Sequence, residues 1–133
     1  MPSDTRLSGG AVSHAVIGIL NTFIGEGKAI SRRQAAQMIG KSHTYLNNRL
    51  NEDVDFTITD LDSICRAIDI DLALLVAAAE WAVTKRRPKI LTDNEAYTIS
   101  QWFDLAAKDG WDFQREAEQQ ADYARATPRT GEV

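Results

Sequence analysis

The chain has 133 residues, 44% of them hydrophobic and 26% charged, with a formal net charge of −4. That length suits one ordinary globular domain with an appendage and excludes two large domains. The lone cysteine, Cys65, excludes an internal disulfide. Flanked by apolar residues in a helical pattern, it reads as a buried, inert thiol in a reducing cytoplasm. No apolar run approaches the ~18 residues that a membrane span needs, and the N-terminus lacks a charged segment ahead of a long apolar core. A cytoplasmic protein without membrane contact is expected.

The charge is unevenly spread. Residues 1 to 91 hold eleven Lys+Arg against ten Asp+Glu, or +1, whereas residues 92 to 133 hold four against nine, or −5. Positive side chains cluster at Arg32, Arg33, Lys41 and Arg49 and again at Lys85, Arg86, Arg87 and Lys89, so a locally basic face is compatible with an acidic total.

Residues 1 to 10 carry Pro, Ser and Gly without periodicity and read as a mobile lead. From Ala11, the apolar positions Val12, Val16, Ile19, Leu20 and Phe23 recur at three- and four-residue spacing, predicting a helix to about Gly25. Ser31 is a fitting N-cap for a short helix that ends at Gly40, and Ser42 caps the next, which runs to about Asn51. A loop, "NEDVDF", precedes "TITDLDSICRAIDI", whose Ile58, Leu61, Ile64, Cys65 and Ile68 keep helical spacing behind a Thr57 or Thr59 cap. Asp71 opens a fifth helix that Pro88 closes. No strand-like alternation, internal repeat or low-complexity segment interrupts this all-α pattern.

Residues 31 to 50, "SRRQAAQMIGKSHTYLNNRL", have helix-turn-helix spacing. Ala36 is small where two helices cross, Gly40 makes the turn and Leu46 anchors the second helix in the core. That helix then exposes His43, Thr44, Asn47 and Asn48 on one side. Asparagine can pair with adenine N6 and N7, hydroxyls suit several base edges, and Arg or Lys grips phosphates, so such a face is suited to a major groove. A solvated polar face is the plainer reading of the same residues.

"SRRQAAQMIGKSHTYLNNRLNEDVDFTITDLDSICRAIDID" resembles the Cro/cI (Xre) family of helix-turn-helix DNA-binding domains. The segment "TYLNNRLNEDVDFTITDLDSI" is similar in particular to the form found in actinobacterial and actinobacteriophage repressors. The likeness spans about residues 12 to 80. It implies a five-helix, lambda-repressor-like domain over 11–91. Within it, His43 and Thr44 read bases at the start of the recognition helix, with Asn47 and Asn48 further along the groove. Arg32 clamps a phosphate and braces that helix; Arg33, Lys41, Ser42, Tyr45, Arg49 and Asn51 are the other phosphate-contacting positions. Two positions depart from the family. Lys41 and Arg49 replace apolar residues, so either the helix is rotated with Leu50 in the core or both side chains snorkel outward. Glu52 stands where a glycine often follows the helix.

Other chemistries find no support. Gly40-Lys41-Ser42 imitates the end of a phosphate-binding loop, but Ala35 stands where the upstream glycine belongs and no strand precedes it. His14 and His43 have no partners at metal-ligand spacing, and no nucleophile and base pair up, so neither a metal, a cofactor nor an enzyme is expected. The "KRRPK" cluster can cap a helix dipole, contact further phosphates through Lys85, Arg86, Arg87 and Lys89, or keep a linker soluble.

Residues 92 to 126 read as a helical extension broken at Lys108-Asp109-Gly110, and 127 to 133 as a frayed tail. Tyr97, Trp102, Phe103, Trp111, Phe113 and Tyr123 give the extension an aromatic surface. Either it folds back on its own monomer, or Tyr97, Trp102, Phe103, Trp111 and Phe113 form a surface for a homodimer or another protein. Three functions compete: a transcriptional repressor of the phage-immunity kind that blocks promoters on a double-stranded operator, an autoregulating antitoxin whose extension masks a toxin, and a protein-interaction module without DNA. The length leaves no room for a self-cleavage domain, so release of a repressor is expected through dilution, proteolysis or a partner.

Overall fold

The computed structural model describes residues 10–113; residues 1–9 of the expected lead, and the second extension helix and frayed tail expected after residue 113, with Tyr123, lie outside the described residues. Among the described residues six helices follow one another: α1 (Ala11–Leu20), α2 (Arg32–Ile39), α3 (His43–Leu50), α4 (Ile58–Ala67), α5 (Leu72–Thr84) and α6 (Asp93–Lys108). No strand forms among the described residues; Ile24 and Ile30 make a single bridge. The fold is all-α.

Local chemistry starts each helix from α2 onward. Ser31 accepts the Gln34 N–H while the Gln34 side chain accepts the Ser31 N–H, a reciprocal box that satisfies two donors the first turn leaves open. Thr57 with Asp60 and Thr92 with Glu95 repeat that box at α4 and α6. Ser42 and Asp71 cap α3 and α5 with one side-chain bond each, to the N–H groups of Tyr45 and Ala73. Gly40 ends α2 in left-handed backbone, φ 73°, where an L side chain would be strained.

Two helices stop earlier than their apolar patterns predict. α1 ends at Leu20, not near Gly25. The Thr22 hydroxyl donates to the Ile19 carbonyl, and the chain folds back so that Gly25 N–H meets the Ile30 carbonyl at 2.8 Å. α5 ends at Thr84, four residues before Pro88, because Lys85 turns left-handed at φ 61° and directs its N–H to the Trp81 carbonyl.

α1 is the centre of the molecule. Seven of its ten residues are buried, so it is covered on nearly every side, as a helix of such even apolarity requires. α5 packs along it and α6 lies against both. Ile19 and Leu20 meet Ile24, Leu46, Ile64, Leu75 and Ile99 in one continuous core, to which Cys65 also belongs. α2 packs on α3 and α4, so the α2–turn–α3 unit stands at the edge of this core with Leu46 and Leu50 inserted into it.

The extension contributes to the same core. Trp102 meets Phe23 edge-on, Phe103 meets Trp81 edge-on, and Phe113 packs on Phe103. Trp111 lies over Gly18 of α1, where an added Cβ would come within 2.3 Å of the indole. Trp102, Phe103, Trp111 and Phe113, one of whose alternatives was a dimer or partner surface, are therefore packed on their own monomer. The physical reason is that α1 and α5 alone leave apolar surface that α6 covers. Of the five aromatic residues, Tyr97 alone is exposed, at 65%.

Candidate nucleic-acid interface

The capping box at Ser31 sets Arg32 at the first position of α2, facing α3. Its guanidinium donates to Asn47 Oδ1 at 2.7 Å and Asn51 Oδ1 at 2.8 Å, and more weakly to Asn21 Oδ1 at 3.4 Å. All three acceptors are neutral amides. Arg32 thus ties the start of α2, the end of α1 and the length of α3 together while its charge stays unneutralised by any carboxylate there.

This bond changes what Asn47 offers. Its amide oxygen is turned to Arg32, which leaves the amide N–H groups as its unengaged chemistry among the described residues. Donors of that kind match guanine O6 and N7, adenine N7, thymine O4 or a phosphate oxygen better than the two-way donor–acceptor pairing with adenine expected from the residue type. His43 and Thr44, in the first turn of α3, are exposed, as are Ser42, Lys41 and Arg33; Asn48 is half-buried on the same helix.

Tyr45 and Arg49 turn instead towards α4. Tyr45 donates its hydroxyl to the Asp60 carboxylate at 2.8 Å, and Arg49 Nε reaches Asp60 Oδ2 at 3.3 Å. The Arg49 guanidinium lies 3.5 Å over the Tyr45 ring, and the Lys41 ammonium 4.9 Å from its centre. Asp60 is 4% exposed and also accepts the Thr57 N–H. Burial by itself raises its pKa, but the hydrogen bonds from Tyr45 and Thr57 and the charge of Arg49 outweigh burial and hold the carboxyl below its ordinary value. The same bond to Asp60, then desolvation, pushes the Tyr45 phenol up.

Tyr45 and Arg49 are accordingly bolts between α3 and α4 as the molecule stands, and Leu50 takes the core place that Arg49 leaves. Arg49 resolves the choice between rotation and snorkelling: its side chain is 14% exposed and turned to Asp60. Asn51 is exposed, but its oxygen is held by Arg32. Glu52 adopts φ 66°, the left-handed conformation that favours glycine, and its carboxylate turns to His14 Nδ1 at 2.6 Å. Sequence reading missed Asp60 and Asn21 as parts of this surface's frame. The T-x-x-D spacing of Thr57 and Asp60 was the one available signal, and it points to a helix cap rather than to α3.

Among the described residues no group of three or more His, Cys, Asp and Glu is placed to hold a metal ion, and no helix is long and apolar enough to cross a membrane. Comparison of the chain with family models, curated proteins and solved structures finds no match.

Proposed function

We propose that this protein is a sequence-specific DNA-binding transcriptional repressor that reads a double-stranded operator with α3 and blocks a promoter by occupying it. The observation that carries this reading is the Arg32–Asn47–Asn51 link. A polar helix that merely faced solvent has no need of a cation bonded to two of its amides, whereas a reading helix gains from side chains fixed before binding. His43 and Thr44 supply base contacts from the first turn, Asn47 and Asn48 follow along the groove, and Arg32, Arg33, Lys41 and Ser42 meet phosphates. The Tyr45–Arg49–Asp60 cluster and the core positions of Leu46 and Leu50 keep α3 rigid against the scaffold.

The antitoxin alternative draws less support, because of the five aromatic side chains offered to a toxin two are in the protein's own core and two more pack against it. The reading is tested by selecting bound duplexes from a random pool at near-physiological salt, where phosphate contacts alone no longer hold every sequence. An enriched motif, and silencing of a reporter promoter that carries it, is the expected result. Folded protein that enriches no motif overturns it.

A further inference from the structure

Between α5 and α6 the chain makes a basic loop that is held in shape from within. Lys85 closes α5, and the Arg86 N–H donates to the Thr84 hydroxyl at 3.2 Å. Arg87 donates to the Leu91 carbonyl at 3.2 Å and to Asp93 Oδ1 at 2.8 Å, and the buried Leu91 pins the far end. Pro88 stiffens the middle. Arg87 is thus a strut of the loop, and its charge is answered by Asp93.

The other basic residues have no such role. Lys85, Arg86 and Lys89 are all exposed, and none takes part in an ion pair among the described residues. Beside them Ile90 is 85% exposed, more than any other large apolar residue described. A fixed loop that presents three unanswered cations and one bare aliphatic side chain is built for a polyanion with an apolar edge.

We propose that this loop is a second contact to duplex DNA, separate from α3, in which Lys85, Arg86 and Lys89 grip the sugar–phosphate backbone and Ile90 lies against the sugars. The proposal rests on the DNA-binding reading above. DNA fits better than an anionic membrane, because one isoleucine and three cations on a loop without an amphipathic helix give a bilayer little to retain. Duplex phosphates, by contrast, present about one charge per 1.7 Å of axis to a rigid basic loop. Such a contact adds affinity without reading sequence.

The test compares the full chain with a Lys85→Gln, Arg86→Gln, Lys89→Gln variant on a selected duplex and on a random one, across a salt series. These side chains are exposed, so the variant should melt as the unsubstituted protein does. Three lost phosphate contacts predict a salt slope shallower by about 2 to 3, a parallel loss of affinity on both duplexes, and an unchanged selected motif. Ile90→Ser should weaken binding at every salt concentration without changing the slope. If the unsubstituted protein binds DNA and the triple variant keeps its slope, the loop proposal fails and the α3 reading stands. If the unsubstituted protein binds no DNA, both fail. Loop-dependent capture by phosphatidylglycerol vesicles with an unchanged DNA slope reassigns the loop to a membrane surface and overturns the proposal.

Discussion

The Arg32 guanidinium donates to the Asn47 amide oxygen at 2.7 Å, across the gap between α2 and α3, so the two residues act as one unit. Asn47→Ala should cost about 1–3 kcal/mol on the selected site and little on random DNA, because base contacts specify and phosphate contacts do not. Arg32→Ala should weaken both, since it removes a cation and frees Asn47. The double variant should lose less than the sum of the two single losses, which a four-way titration on the selected duplex measures. Equal loss on both duplexes for Asn47→Ala removes that residue from base reading.

Gly18 and Trp111 make a sharper stability prediction. In an ordinary helix, Gly→Ala stabilises by up to about 1 kcal/mol. Here the new methyl meets the indole at 2.3 Å, so Gly18→Ala should destabilise by about 1–3 kcal/mol. In a Trp111→Ala background the obstacle is gone, and the same substitution should turn neutral or stabilising. Thermal melts of the four proteins decide it.

Asp60 makes folding sensitive to acid. Its carboxyl is held below the ordinary value of 3.8, so the unfolded chain binds the proton more tightly than the folded one. The stability this residue contributes is therefore fully present above about pH 4 and disappears as pH falls through the lower, folded-state value. Asp60→Asn should be less stable at neutral pH, by on the order of 2 kcal/mol, because the bonds from Tyr45, Arg49 and the Thr57 N–H lose their charged acceptor. Denaturant midpoints of the two proteins should converge as pH falls from 5 towards 2, a window set by the ordinary carboxylate range. A constant gap across that window would show that the carboxylate's charge is not what matters.

Gly40 tests the turn. A side chain there meets nothing within 4 Å, so substitution costs backbone strain alone at φ 73°. Gly40→Val should lose about 1–2 kcal/mol or more, and Gly40→Asn clearly less, because asparagine tolerates left-handed backbone and a branched residue does not. Equal losses for both would mean that the turn relaxes around any side chain.

The parts of this fold that were legible in the sequence are those fixed by near neighbours. Ser31, Ser42 and Asp71 cap where their spacing places them, because a cap needs only the next turn of chain, and of the two threonines offered for α4 it is Thr57 that caps. The ends of α1 and α5 were not legible, since Phe23 and Ile24 continue the apolar pattern of α1 while folding back as a loop. The direction of Tyr45 and Arg49 was likewise hidden, because their partner Asp60 lies on another helix. The aromatic residues of α6 show why apolar patterning stops short of assigning partners. A buried stripe looks the same whether its cover is the same chain or another, and Trp102 needed the position of Phe23 to settle it.

The most direct test of the central claim, that α3 reads DNA sequence, is selection from a random duplex pool run in parallel on the unsubstituted protein and on a His43→Ala, Thr44→Ala variant. Both side chains are exposed, so the variant should remain folded. If α3 reads sequence, the unsubstituted protein enriches one motif and the variant loses preference at particular positions of that motif, with binding to random DNA retained. An identical motif from both proteins, or no motif from either, would contradict the claim.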